Sequence, residues 1–203
     1  MDLKTIPQIP GYNYSEYLLV LNPHEDLRNK IVQVKKEFSE KYKAPSAFYS
    51  KPHITLVNFI QFEMREDRLV SHLNKIAMSY RPFKVDLKDY GSFPSHTIFI
   101  NVESKLQVKN LLKELKPVQH LMALNKENKP HFMDNPHLTV ARKLLPWQYE
   151  KGWLEYSNSH FTGRFVADNM LLMKRKPGEK YQYVQRFDFL NLSAKGQQIE
   201  LFI

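Results

Sequence analysis

Apolar and polar positions along the first half of the chain predict helices and strands in alternation. Residues Tyr17 to Leu21 form an apolar run of strand length, and Asn22 with Pro23 then favours the start of a helix. From Leu27 to Tyr42, apolar residues return every three or four positions, which predicts a helix with one buried stripe. Leu69 to Tyr80 repeats that spacing. Phe83 to Lys88 alternates apolar with charged residues, which is typical of a strand with one face in water.

The second half of the chain repeats this order, which indicates a diverged duplication. After a turn-rich break at residues 91–94, the pattern predicts a strand at 97–102 and a helix at 106–115 that Ser104 is able to cap. An irregular stretch from Leu121 to Asn135 follows. Beyond it, the pattern predicts a short helix from Pro146 and strands near 161–166, 170–173 and 183–189. Short connections and one-sided strands favour the α+β class. We expect two lobes, residues 16–94 and 95–190, with the strand at 181–190 able to cross between them.

Two short segments share one pattern and occupy the same place in each half. They are Pro52-His53-Ile54-Thr55-Leu56-Val57 and Pro136-His137-Leu138-Thr139-Val140-Ala141. Side chains two positions apart in a strand project from one face, so each segment presents an imidazole beside a hydroxyl. With eight His and five Thr in 203 residues, random order gives about 0.2 His-x-Thr pairs. The repeated pattern therefore indicates one paired functional site rather than two unrelated structural histidines.

Composition narrows the chemistry available to that site. Because the chain has no cysteine, disulfides, thiolate catalysis and Cys-based zinc sites are excluded. Thirty Lys and Arg against 21 Asp and Glu give a net charge of +9, which favours phosphorylated ligands or nucleic acid. Lysine clusters such as Lys35 with Lys36 are interpreted as solvated surface. No signal peptide or membrane span is visible, so we expect a cytoplasmic monomer that does not enter a membrane.

Over about residues 16 to 190, the paired motifs resemble the two-histidine phosphoesterase superfamily. Within it they resemble the 2′-5′ RNA ligase-like cyclic phosphodiesterases. Phe59 is similar to the aromatic residue that trails the family's first motif, Arg142 to the arginine of the second, and Tyr183 with Arg186 to the closing strand. The resemblance implies two pseudo-symmetric lobes of mainly antiparallel sheet backed by helices, with the active site in the cleft between them.

The resemblance and the chemistry imply the same site residues. Opening a 2′,3′-cyclic phosphate needs a base for water and an acid for the leaving oxygen, and two imidazoles suit both tasks near neutral pH. We therefore expect His53 and His137 to be catalytic, and the Thr55 and Thr139 hydroxyls to bind phosphate oxygens. Arg142 is a further candidate, although strict alternation places it on the face opposite His137 unless the strand bulges. Tyr183 is another substrate-binding candidate, and no metal or cofactor is expected.

Two alternatives remain open at this point. A hydrolytic metal site could use His131, Asp134 and His137, but it would explain only one of the two motifs. A non-catalytic basic module on the same fold could bind RNA or a nucleotide through its charge and aromatic residues. The sequence does not identify the natural substrate, an RNA end or a small nucleotide, or the position of phosphate in the product. Nor does it distinguish hydrolysis from reverse 2′-5′ ligation, assign acid and base, or explain the loop at 121–135 and the tail after residue 190.

Overall fold

The computed structural model of the protein describes residues 11–192. Its helices within that range are α1 (Glu25–Lys41), α2 (Glu66–Ser79), α3 (Lys105–Leu115), the single turn α4 (Gln119–Met122) and α5 (Pro146–Tyr156). Its strands are β1 (Tyr14–Leu21), β2 (Ile54–Phe62), β3 (Phe83–Phe93), β4 (Thr97–Val102), β5 (His131–Phe132), β6 (His137–Arg142), β7 (Thr162–Ala167), β8 (Asn169–Arg175) and β9 (Gln182–Asp188).

The strands form one antiparallel sheet in the order β7-β3-β4-β6-β2-β1-β8-β9, and β5 pairs with β2 beside the main path. The two motif strands, β6 and β2, are the neighbours at the centre of this order. Their register pair within the described residues is Ile54 with Leu138. Two four-stranded halves of the sheet therefore meet where the two His-x-Thr segments begin.

The two halves of the sheet do not contain the same strands as the two predicted lobes. β3 was expected with residues 16–94, but it pairs with β4 and β7. β8 was expected with residues 95–190, but it pairs with β1, and β9 follows it. The reason for the first exchange is local, because β3 continues through Gly91 to Phe93 and pairs with the next strand across a three-residue connection. The C-terminal hairpin thus lies beside the first motif's half of the sheet.

Helices cover one face of the curled sheet, which makes the fold α+β as predicted. The buried stripes of α1, α2 and α3 share one core with alternate residues of the strands. Within the two motifs, the core side chains that alternate with the histidines and threonines are Ile54 and Leu56 in β2, and Leu138 and Val140 in β6. His53, Thr55, His137 and Thr139 are only half-buried and alternate with these, so they lie on the opposite, inner face.

Several local predictions differ from the structure for identifiable reasons. Helix α1 begins at Glu25 with His24 in the capping position, not at Asn22, because His24 is still extended. Ser104 precedes α3, but its hydroxyl bonds the backbone N–H and carboxylate of Asp86 rather than the helix backbone. The strand predicted at 183–189 is present as β9, whereas residues 193–203 of the tail lie outside the described part of the chain. Among helices of residues 11–192, none has the length and apolar character that crossing a membrane requires.

Candidate active site

The register between β2 and β6 brings the two motifs onto one surface. Ile54 pairs with Leu138. On one side of that pair His53 therefore lies opposite Thr139, and on the other side Thr55 lies opposite His137. Directly opposed residues of an antiparallel pair share a face. The two histidines are then diagonal neighbours, for which a separation of about 7–8 Å is typical. His137 is also close enough to His53 to lower its pKa.

Each histidine is oriented by a backbone carbonyl two residues before it. Nδ1 of His53 lies 2.8 Å from the Lys51 carbonyl oxygen, and Nδ1 of His137 lies 2.7 Å from that of Asn135. A carbonyl oxygen can only accept, so Nδ1 carries the hydrogen and donates it. Nε2 is then the unprotonated nitrogen of each neutral ring. Both motifs therefore offer the same tautomer, with Nε2 left for a ligand.

A β-bulge follows the threonine in both motifs. Thr55 pairs with Val20 and Val57 with Leu19, so Leu56 is an extra residue in β2. In the other motif Phe99 pairs with Thr139 and Ile98 with Ala141, so Val140 is extra in β6. In each strand two consecutive residues are then buried, which reverses the alternation beyond them. The bulges place Asn58 and Arg142 on the face of the histidines. A bulge in this strand was the condition under which Arg142 was predicted to reach the site.

Two phenylalanines that the sequence did not single out form a wall against His137. The Phe99 ring centroid lies 4.8 Å from that of His137, and the Phe93 centroid lies 5.0 Å away at nearly a right angle. Gly91 leaves room for this packing, because a Cβ there would lie 2.5 Å from the Phe99 ring and 2.6 Å from the Asn101 side-chain oxygen. The signal in the sequence was the strand alternation of Thr97, Phe99 and Asn101, which puts these residues on the inner face.

The position of Lys35 differs from the one predicted. It was interpreted as solvated, yet only 1% of it is exposed. Its Nζ donates to Ser50 Oγ at 2.9 Å and to the Thr139 carbonyl at 3.2 Å. The spacing contained the signal, because Ile31, Lys35, Phe38 and Tyr42 follow each other at helical steps on the buried stripe of α1.

Positive charge collects beside His53. Arg142 is close enough to affect the pKa values of His53, Lys35 and Tyr181. Within residues 11–192, neither Lys35 nor Arg142 forms an ion pair with a carboxylate. Cations without carboxylate partners next to two imidazoles favour an anionic ligand.

Arg142 acts on Tyr181, two residues before the predicted Tyr183. Tyr183 is 64% exposed and pairs in register with Met173, three strands from β2. Tyr181 is half-buried under the Arg175 guanidinium, which lies 4.6 Å from its ring centroid, and Arg142 acts on it. The C-terminal segment therefore approaches the site through Tyr181, and the role predicted for Tyr183 stays a prediction.

Burial lowers the pKa of both histidines, and neighbouring cations add to this effect at His53. Desolvation, followed by the charges of Lys35, Arg142 and His137, lowers the pKa of His53 to about 4 against the pull of the Lys51 carbonyl. Desolvation also lowers the pKa of His137, and the Asn135 carbonyl opposes it. Both shifts disfavour the protonated, positively charged imidazole in the free protein.

The irregular stretch from 121 to 135 contributes to the same region. Its strand β5 pairs with β2, and His131 lies opposite Asn58 on the inner face. The described residues hold no cluster of three or more His, Asp or Glu that could ligate an ion, so His131, Asp134 and His137 are not gathered into a metal site. The loop instead ends by supplying the Asn135 carbonyl to His137.

Residues 23–179 match the model of the 2′-5′ RNA ligase superfamily. The chain belongs to this superfamily. The match spans both His-x-Thr motifs and confirms the resemblance to two-histidine phosphoesterases. A Bacillus licheniformis protein whose assignment as a phosphoesterase is itself provisional is 26% identical over 141 residues, covering 64% of this chain and 72% of its own.

Two solved structures share the fold at lower sequence identity. LigT of E. coli, crystallised with 3′-AMP, superposes with a TM-score of 0.61 at 12% identity, over 87% of this chain and 99% of its own. TT0787 of Thermus thermophilus gives the same TM-score at 18% identity, over 86% and 98%. At these identities the likeness supports the α+β fold, while the family match supports a phosphoesterase or ligase type of function.

The orientation and charge of the histidines are open to direct measurement. In NMR spectra of the free protein, we expect both His53 and His137 to show the Nδ1–H tautomer and to titrate below pH 6.5, because burial disfavours imidazolium. His53, which also lies near cations, should stay neutral down to about pH 4. His53→Gln and His137→Gln variants assign the signals. Titration of His53 at or above pH 6.5 would contradict this description of the site.

Proposed function

We propose that the protein is a metal-independent phosphoesterase that opens 2′,3′-cyclic phosphates of RNA ends or small nucleotides. His53 and His137 act as acid and base. With the 5′-hydroxyl of another RNA end in place of water and O3′ as the leaving group, the same opening would join the two ends through a 2′-5′ bond. The observation that carries the proposal is the register of Ile54 with Leu138, which sets both His-x-Thr pairs diagonally on one face. The 3′-AMP in the LigT structure is a nucleotide of the kind such a reaction would release.

The proposed chemistry balances with the two imidazoles alone. One histidine, neutral at Nε2, takes a proton from water as the water oxygen forms a bond to phosphorus. The other, protonated at Nε2, gives its proton to ribose O2′ or O3′ as the bond from that oxygen to phosphorus breaks. The product is a phosphate monoester on the remaining ribose oxygen. Each histidine ends with the other's starting protonation, so exchange with solvent restores the site.

The other inner-face groups suit the charge on the phosphate. Hydroxyls of Thr55 and Thr139 lie beside the histidines and can donate to the non-bridging oxygens, which hold negative charge through the transition state. Arg142 has no carboxylate partner in the described residues and can offer paired N–H donors. Bound phosphate would also favour the protonated form of one histidine, which the free site disfavours.

The proposed activity can be tested with a panel of cyclic phosphates. Purified protein, treated with EDTA, is incubated with 2′,3′-cyclic mononucleotides, RNA ending in a 2′,3′-cyclic phosphate, and 3′,5′-cyclic AMP as a control. We expect ³¹P NMR to show opening of the 2′,3′-cyclic substrates only, and the shift of the product identifies the phosphate position. Activity that EDTA abolishes and a divalent ion restores would contradict the two-histidine mechanism. Tight RNA binding without turnover of any substrate would favour the non-catalytic module.

The two motif hydroxyls provide a second test. We expect Thr55→Val or Thr139→Val to lower kcat by about ten- to a thousand-fold, because each change removes one donor to the transition-state oxygens while keeping a β-branched strand former. Initial rates on the substrate found above, with thermal unfolding measured alongside, check this. The matched control is Thr162→Val, an exposed threonine of β7. Wild-type rates in both motif variants would show that the threonines serve only the strands.

A further inference from the structure

Lys35 is a buried cation that lies between the two motifs. It comes from the stripe of α1 that packs against the sheet, and its Nζ bonds Ser50 Oγ and the carbonyl oxygen of Thr139. Ser50 belongs to the segment that leads into His53, whose Nδ1 bonds the Lys51 carbonyl. Thr139 is the motif residue directly before the β6 bulge at Val140. One ammonium group therefore joins the approach to the first motif and the bulge of the second.

The groups that face Lys35 are a cation, a neutral imidazole and two uncharged hydrogen-bond partners. From β6 it faces Arg142, and from the segment before β2 it faces His53, while its hydrogen-bond partners, Ser50 and Thr139, are uncharged. No carboxylate in residues 11–192 pairs with it. Burial and Arg142 lower its pKa to about 8, so it remains mostly charged at neutral pH. A buried cation without a counter-ion destabilises a fold, so an apolar residue would suit this position better for stability alone.

The position of Lys35 explains how it can support the junction between the two motifs. β2 and β6 pair at Ile54 and Leu138, so little backbone bonding holds the two halves of the sheet together there. Beyond that pair, the bonds from Lys35 to Thr139 and Ser50 continue the connection through a side chain. Its charge also acts on His53 from behind the motif, where it adds to the positive potential that an incoming phosphate would meet.

We propose that Lys35 is a positioning residue of the phosphoester site, bracing the junction of the two His-x-Thr motifs and holding a positive charge that the substrate phosphate neutralises. It acts through Thr139 and His53 and does not touch the substrate. The inference rests on the proposed function only for the identity of the substrate. Its effects on His53 and on phosphate binding do not require turnover.

Lys35→Met tests the proposal, because methionine keeps the length and apolar stem while removing the charge and both hydrogen bonds. The matched control is Lys36→Met, which removes the same charge from an exposed neighbour on α1. NMR titration gives the pKa of His53 and the affinity for inorganic phosphate at pH 7. Thermal unfolding and, where a substrate is known, kcat and KM complete the comparison.

In Lys35→Met we expect the pKa of His53 to rise, phosphate to bind about tenfold more weakly and kcat to fall about ten- to a hundred-fold. The unfolding temperature should stay close to that of wild type, because removal of a buried unpaired cation offsets the loss of its two hydrogen bonds. A role in stability alone would instead lower the unfolding temperature and leave the His53 titration in place. An unchanged His53 pKa with phosphate affinity equal to that of Lys36→Met would overturn the proposal.

A second variant keeps the bracing role testable if Lys35→Met folds poorly. Ser50→Ala leaves the charge of Lys35 and its bond to Thr139 but removes the bond toward the first motif. We expect phosphate affinity to stay within about twofold of wild type and kcat to fall about threefold or more. A kcat equal to that of wild type in Ser50→Ala would show that Lys35 does not brace the first motif. If wild-type protein opens none of the cyclic phosphates, the proposed function fails, whereas the His53 and phosphate measurements still decide the role of Lys35.

Discussion

The backbone pairing of Ile54 with Leu138 is the contact on which the site depends. It joins the two halves of the sheet, and it sets the register in which each histidine lies opposite the other motif's threonine. A slip of one residue would turn one motif's imidazole and hydroxyl into the core. The rest of the fold serves this junction, because α1 packs its buried stripe behind it and the wall formed by Phe93 and Phe99 supports His137 from the side.

The electrostatics of the junction follow from the same arrangement. The junction brings together Lys35, Arg142 and two imidazoles, and no carboxylate of the described residues pairs with either cation. The result is a positive, half-buried surface. Such a surface favours neutral histidines when empty and protonated ones when it holds an anion. Proton uptake on binding an anion is thus an expectation for this site, and it accords with the proposed phosphodiester substrate.

Periodicity in the sequence was sufficient for most of the elements and for the core of the site. The two His-x-Thr segments, their shared face and the α+β class follow from spacings of two and of three to four residues. Strand partners did not follow. β3 turns directly into a hairpin with β4, and β8 pairs with the distant strand β1, which a pattern of apolar and polar positions does not specify. The placement of Arg142 needed a bulge that alternation cannot reveal. Lys35 was misplaced because composition outweighed its position on the α1 stripe.

The pH dependence of kcat/KM, measured with EDTA present in wild type, His53→Ala and His137→Ala, tests the central claim most directly. The control is His72→Ala, which changes a half-buried histidine of α2 outside the motifs. We predict a bell for wild type with its optimum below pH 6.5, because burial lowers both histidine pKa values while catalysis needs one ring neutral and one protonated. Each motif variant should lose about a thousandfold or more and one limb of the bell, which would assign acid and base. A rate that rises to an alkaline plateau, or motif variants as active as His72→Ala, would contradict catalysis by His53 and His137.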